Sequence, residues 1–305
     1  MIVTVTLNPA VDQTVQLDRL QLGAVNKVRD VTETAGGKGI NVARVLADLG
    51  EEVVATGLMG QRNQQFFSHY LTEHQITDKF ISVEGSVRSN IKLVNGPDAE
   101  VTDINFPGFQ ATENDLSLVL EVIKNAPAET FVAVCGSLPP GINALAYGQF
   151  LRAIKSLGYR LAVDTSGEAL KRAVAVKPDL IKPNIHELSE LADQELSIES
   201  GVTFANQLIE QGINQVVLSC GEEGAWFINK YHRCYARPDK VKVVSTVGAG
   251  DSMMAGYLFG LSKNYALEQT AGLATACGMK AVTQAGVGGF TLEDLKDFIS
   301  GGIIP

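Results

Sequence analysis

The sequence predicts an α/β fold in a single domain spanning 1–305: a central, mostly parallel sheet flanked by helices, with a small β-sheet lid. Three observations predict it. Short β-branched runs bounded by glycine, proline or asparagine alternate with helical repeats along most of the chain, which is the texture of βαβ units. Two stretches, about 11–35 and 86–106, instead alternate polar and apolar residues with no helix between them. Apolar residues make up 45% of the chain and charged residues 19%, enough to bury a sizeable core and too few charges for a disordered or coiled-coil protein.

The strand texture runs through 2–6, 52–56, 131–135, 160–164, 179–181 and 215–219. Helical repeats fall between these runs, at 39–49, 63–74, 113–124, 144–157, 168–174 and 199–211. Val11-Asp12-Gln13-Thr14-Val15 and Asn90-Ile91-Lys92-Leu93-Val94 read as antiparallel strands outside the main sheet, the material of a lid that keeps water from a reacting centre. Strand texture returns at 225–228 and 240–245, and helices close the chain at 248–263, 266–284 and 292–299.

The net charge of −9 lacks the basic footprint of a nucleic-acid binder, so any anion site must be a local cluster of donors. No run of 18 apolar residues is present, and nothing is expected to span a membrane. The first residues alternate as a strand, with no basic leader, and a cytoplasmic location is expected. Cys135, Cys220, Cys234 and Cys277 form no C-x-x-C pair. Cys135 and Cys220 end apolar runs and are expected to be buried, reduced thiols.

The strongest chemical signal is Ser245-Thr246-Val247-Gly248-Ala249-Gly250-Asp251-Ser252, between a β-branched run and a helix with apolar positions at Met254, Leu258 and Leu261. Gly248 and Gly250 permit a tight turn and close approach of backbone to ligand. The free amides at the helix start, around Gly248, Ala249 and Gly250, form an anion site suited to a transferring phosphoryl group. Asp251 lies in the same turn, where the helix start favours its ionised form and where a carboxylate can take the proton of an attacking hydroxyl. The plainer alternative is that Asp251 caps the helix. There is no G-x-x-x-x-G-K-[ST], and Met253 together with the late position of the turn speaks against a dinucleotide fold.

The second signal is Gly36-Gly37-Lys38-Gly39-Ile40-Asn41-Val42-Ala43-Arg44. A glycine-rich turn again feeds a helix, and Lys38 and Asn41 add a cation and an amide suited to a phosphorylated sugar. Asn8-Pro9-Ala10-Val11-Asp12 is read as the end of the first strand, with Asp12 either binding sugar hydroxyls or standing as a solvated turn residue.

Taken together, these motifs resemble the ribokinase-like sugar kinases of the phosphofructokinase-B group. The resemblance covers essentially the whole chain. It includes Gly136-Ser137-Leu138-Pro139-Pro140-Gly141, Asp164-Thr165-Ser166-Gly167-Glu168-Ala169-Leu170 and Lys182-Pro183-Asn184. It implies an ATP- and Mg²⁺-dependent kinase with Asp251 as catalytic base. Asp12, Gly37, Asn41 and Arg88 would contact the sugar; Lys38 and Arg88 would hold its phosphate, with Lys27 and Ser137 as further candidates. Lys182, Asn184, Ser219, Gly221, Thr246, Gly278 and Gln284 would border the nucleotide, and Glu187 would reach the metal through water. Within the group, 6–12, 35–39 and 102–108 are most similar to members acting on fructose 1-phosphate at O6. Tagatose 6-phosphate and fructose 6-phosphate remain alternative acceptors, and a non-catalytic sensor on the same fold is the alternative outside enzymes. The resemblance also implies a homodimer formed through the lid. Cys220 departs from the group, where leucine is frequent, and His186 is read as a surface residue.

Overall fold

The computed structural model describes residues 1–96 and 100–298. The chain runs β1 (Ile2–Thr6), β2 (Ala10–Leu17), β3 (Val28–Gly36), α1 (Lys38–Asp48), β4 (Val53–Gly60), α2 (Gln64–Glu73), β5 (Thr77–Val83), β6 (Arg88–Asn95), β7 (Glu100–Asn105) and α3 (Glu113–Lys124). It continues through β8 (Phe131–Cys135), α4 (Ala144–Ser156), β9 (Arg160–Asp164), α5 (Gly167–Val176), β10 (Leu180–Ile181), α6 (Ile185–Ala192), α7 (Ile198–Glu210) and β11 (Gln215–Ser219). It ends with β12 (Ala225–Asn229), β13 (Arg233–Ala236), α8 (Ala249–Ser262) and α9 (Leu267–Val282).

A nine-stranded sheet carries the order β13-β12-β11-β10-β9-β8-β1-β4-β5. Its strands pair in parallel from β5 to β11, and β12 and β13 close one edge as an antiparallel hairpin. Alternation along β1 sends Val3 and Val5 into a core beneath α3, α4, α5 and α7, and Ile2 into a second core beneath α1, α8 and α9. Strands buried on both faces read as continuous apolar runs, which is why the predicted bounds of β1, β8, β9 and β11 coincide with those observed.

The chain steps outward from β1 through β4 to β5, then returns to the other side of β1 with β8. That reversal is a topological switch point, and ligands of open α/β sheets bind in the crevice beyond the strand C-termini there. Asn8 follows β1, Gly136 and Ser137 follow β8, Asp164 ends β9, and Lys182 follows β10.

The lid is a separate four-stranded sheet, β3-β2-β6-β7, as expected from 11–35 and 86–106; residues 97–99 of that stretch lie outside the described residues. One detail differs. β2 pairs with β3, and β6 with β7, antiparallel, but β2 and β6 run parallel across the centre. The long excursion through α1, β4, α2 and β5 between them returns the chain in the same direction, as a crossover does.

Other differences have local causes. β1 stops at Thr6, and Ala10 begins the lid, so Asp12 is a lid residue rather than the end of the first strand. β5 was not expected because it is an edge strand with only Val83 fully buried. α6 buries only Leu188, and β13 is four residues long. The predicted strand at 240–245 is not formed: the sheet ends at β13, and Val244 and Ser245 give their amides to Val282 at the end of α9. The predicted helix at 292–299 is a 3₁₀ segment, Glu293–Phe298, with residue 299 outside the described residues. Cys135 is buried as expected, whereas Cys220 is half-buried. His186 is exposed and pairs with Glu190 one turn on.

Candidate active site

The turn before α8 is built as the sequence suggested. Gly248 occupies the N-cap position with φ of 75°, in the left-handed region, and Ser252 donates its amide to the Gly248 carbonyl at 2.8 Å. Ala249, Gly250 and Asp251 form the first helical turn, whose amides lack acceptors within the helix. A Cβ on Gly248 would lie 2.4 Å from Val287 Cγ2, so the loop after α9 seals this turn from behind. That loop is itself held by α1, since Asp48 accepts the Gly289 amide at 2.6 Å and Arg44 at 2.8 Å.

Asp251 does not cap the helix. It is buried and accepts a hydrogen bond from Asn41 Nδ2 at 2.7 Å. Burial first, and then the charge of Asp164, push its carboxyl up to about 6, against the pull of Lys38, Asn41 and Lys182. The expectation that the helix start favours its ionised form meets an opposing effect, since desolvation raises the carboxyl. A base with this affinity for protons is well matched to neutral pH.

Lys38, the first residue of α1, and Lys182 share one partner. Lys38 Nζ lies 3.0 Å from Asp164 Oδ1, and Lys182 Nζ lies 3.1 Å from Asp164 Oδ2. Burial pulls the Lys38 ammonium down, but Asp164 and Asp251 outweigh it and hold it above its ordinary value. Asp164 is kept below the usual carboxylate range because the two lysines overcome its burial. Lys182 Nζ is also 3.3 Å from where a Cβ on Gly250 would stand, directly beside the turn before α8.

The lid supplies the other wall. Asp12 accepts from Asn90 Nδ2 at 2.9 Å and packs so tightly on Gly36 that a Cβ there would meet its carboxylate at 2.0 Å. Burial raises the Asp12 carboxyl, opposed by Asn90 and Arg88. Arg88 crosses from the lid to the main sheet, donating to Phe106 O at 3.2 Å and Ser137 Oγ at 3.3 Å. Its Nε is buried with no hydrogen-bond partner among the described residues, which leaves it a donor to offer. Gly37, with φ of 120°, caps α1 against Thr6 and Pro9. Lys27 stands apart: it is exposed at the far end of the β2–β3 ribbon, roughly 20 Å of strand from Asp12, and is not brought to the crevice.

Asn184 and Ser219 bridge the ends of β10 and β11, and Gly221 follows with φ of 60°. Glu187 and Asn184 form a capping box, Glu187 accepting the Asn184 amide at 2.9 Å. Glu187 still acts on the charge of Lys38, so it belongs to the rim of the same site. Among the described residues no group of three or more His, Cys, Asp or Glu is gathered to hold a metal directly. Thr246 is exposed. Gly278 is buried on α9, where a Cβ would sit 3.4 Å from the Ala249 carbonyl, and it lets the two helices approach closely. Gln284 donates to the Gly288 carbonyl of its own loop.

Two residues with no role assigned from sequence organise the site. Asn8 Nδ2 reaches Pro107 O and Leu138 O, each at 3.2 Å, tying the lid's exit to the loop after β8. Asp164 is a lone charge ending the apolar run Leu161-Ala162-Val163, and that was the available signal.

An amide cradle, a carboxylate of raised pKa and converging lysines under a polar lid define a phosphotransferase acting on a small hydroxyl-bearing substrate. The chain belongs to the pfkB family of carbohydrate kinases, which it matches over residues 5–294. A 1-phosphofructokinase of Xanthomonas campestris pv. campestris is 41% identical over 304 residues, 97% of this chain and 95% of that protein. A 1-phosphofructokinase of Escherichia coli (strain K12) is 40% identical, covering 94% of this chain and 92% of that protein. The crystal structure of Phosphofructokinase-2 from Escherichia coli in complex with potassium has a TM-score of 0.92 at 28% identity, covering 98% of this chain and 97% of that one.

Proposed function

We propose that the chain transfers the γ-phosphoryl group of ATP to O6 of fructose 1-phosphate, giving fructose 1,6-bisphosphate and ADP. The observation that carries this reading is the convergence of Asp251, Lys38 and Lys182 on the start of α8. Asp251 accepts the proton of the 6-hydroxyl as O6 forms its bond to phosphorus and the bond to ADP breaks. Amides of Gly248, Ala249 and Gly250 hold the charge that spreads over the moving group. Lys182 neutralises the same charge from the side. Arg88 and Lys38 receive the acceptor's own phosphate, Arg88 through a fork suited to bidentate contact. Asp12, Gly37, Asn41 and Ser137 line the sugar. The nucleotide lies along Asn184, Ser219, Gly221 and Thr246, bordered by Gly278 and Gln284. Glu187 fits a Mg²⁺ that keeps its waters, which when bound offsets the charge of the nucleotide phosphates. The choice of fructose 1-phosphate rests on near-full-length relatives of that name at about 40% identity, against 28% for Phosphofructokinase-2.

ADP release measured over fructose 1-phosphate, fructose 6-phosphate, tagatose 6-phosphate and a nucleoside tests the reading. Fructose 1-phosphate is expected to give the highest kcat/KM, by at least about tenfold; a higher value for any other acceptor overturns it. Specificity of this size needs only about 1.4 kcal/mol of differential transition-state binding.

We also propose a homodimer through the lid, working in the cytoplasm. Direct neighbours in the lid register share a face, and one face gathers Val15, Val31, Leu93, Ile91 and Ile104. Val31 and Ile104 are 49% and 45% exposed, and apolar sheet faces of this kind favour a partner. Sedimentation should give the mass of two chains, and Val31→Asp with Ile104→Asp should give one. A wild-type mass of a single chain would contradict the dimer.

A further inference from the structure

We infer that Asp164 is a positioning residue for both substrates at once, a single buried carboxylate that fixes the lysine of the acceptor side and the lysine of the phosphoryl-transfer side. The inference rests on the functional reading above for the roles of the two lysines. The geometry itself does not depend on it.

The Asp164 side chain is 0% exposed and lies between Lys38, 38% exposed, and Lys182, 6% exposed. The lysines come from different elements, one from the start of α1 and the other from the loop after β10. Each ammonium has three donors, so contact with Asp164 leaves donors on each for a phosphate. A carboxylate this deeply buried is costly unless it is paired, and here it has two cationic partners. The dependence is mutual. Without the carboxylate, two like charges would face one another across the crevice, and two long, flexible side chains would regain their rotamers. Each ligand would then have to order its own lysine on arrival, and such ordering weakens binding.

Asp251 feels the same arrangement. The charged groups facing it are Lys38 from α1, Asp164 from β9 and Lys182 beyond β10, with Asn41 as its hydrogen-bond partner and the Cys135 thiol nearby. Neutralising Asp164 removes a negative neighbour and leaves both lysines unneutralised. Both changes favour the ionised form of Asp251 and move its titration to lower pH.

The test is Asp164→Asn in the full chain, with ATP and fructose 1-phosphate. KM should rise about tenfold for each substrate, on the scale of the losses caused by small misplacements, and the acid limb of kcat/KM should move to lower pH. A lowered melting temperature with both KM values and the acid limb unchanged overturns the inference, because that is what a purely structural carboxylate would give. A rise in only one KM overturns it too. Should Asp164→Asn fail to fold, thermal unfolding of Lys38→Met, Lys182→Met and the double variant decides the matter. The double variant should lose more melting temperature than the two singles together, since removal of the last cation strands the carboxylate; simple additivity contradicts the shared anchor. If wild type does not phosphorylate fructose 1-phosphate, the functional reading falls, while calorimetric titration of ATP into wild type and Asp164→Asn, with the thermal cycle, still decides this inference.

Discussion

Asp251→Asn is expected to keep the fold and lose about 10³-fold in kcat, within the range that general bases contribute. The substitution preserves shape, and the side chain makes one hydrogen bond, to Asn41 Nδ2, which the amide oxygen of the replacement side chain can still accept. What disappears is the ability to take a proton. A loss of about 10³ corresponds to about 4 kcal/mol of transition-state stabilisation. The amide cradle and both lysines stay in place, so KM for either substrate should change by less than about threefold, the signature of an interaction made only in the transition state. Steady-state kinetics with a melting curve checks both halves. Turnover near that of wild type would remove Asp251 from the mechanism.

Gly248→Ala should be nearly as severe for a different reason. The residue sits at φ of 75°, a conformation that costs an L side chain about 1–2 kcal/mol. The new methyl would also meet Val287 Cγ2 at 2.4 Å, well inside contact distance, in a loop that Asp48 and Gln284 hold in place. Relief requires the turn itself to move, and with it the amides proposed to receive the phosphoryl group. A loss of about 10²-fold in kcat is expected, comparable to losing one oxyanion-type donor. Gly286→Ala is the matched control: its φ is 84°, but nothing lies within 4 Å of the added carbon. That variant should show the conformational cost as a lower melting temperature and keep its rate. Equal rates for the two variants would mean that the close approach to Val287 is not what holds the turn.

The glycine turns, the strands buried on both faces and the capped helix α3 were legible because each is a local pattern. Thr112 and Asp115 form a capping box at the start of α3, and the predicted bounds of that helix coincide with those observed. β5 and β13 were not legible, since edge strands bury too little to show a clear period. The parallel pairing of β2 with β6 depends on the route the chain takes between them, which no window of sequence contains. The site divides in the same way. Gly248, Gly250 and Asp251 could be read in one turn, but Asn41 reaches Asp251 across 210 positions, and Lys38 reaches Asp164 across 126. The pKa of Asp251 is raised by burial first and then by the charge of Asp164, and neither is visible in the local turn. Lys27 is a cation in the lid segment that the length of its ribbon carries away from the crevice of its own chain.

The pH dependence of kcat/KM for wild type and Asp251→Asn, measured side by side, tests the central claim most directly. Asp251 must be ionised to act, and its carboxyl is pushed up to about 6. The wild-type rate should therefore be level above that pH and fall about tenfold per unit below it. Substrate ionisations are common to both proteins and cancel in the ratio of their rates, so the ratio of wild type to Asp251→Asn should itself fall about tenfold per unit below about 6. A ratio that does not change with pH would mean that some other group accepts the proton.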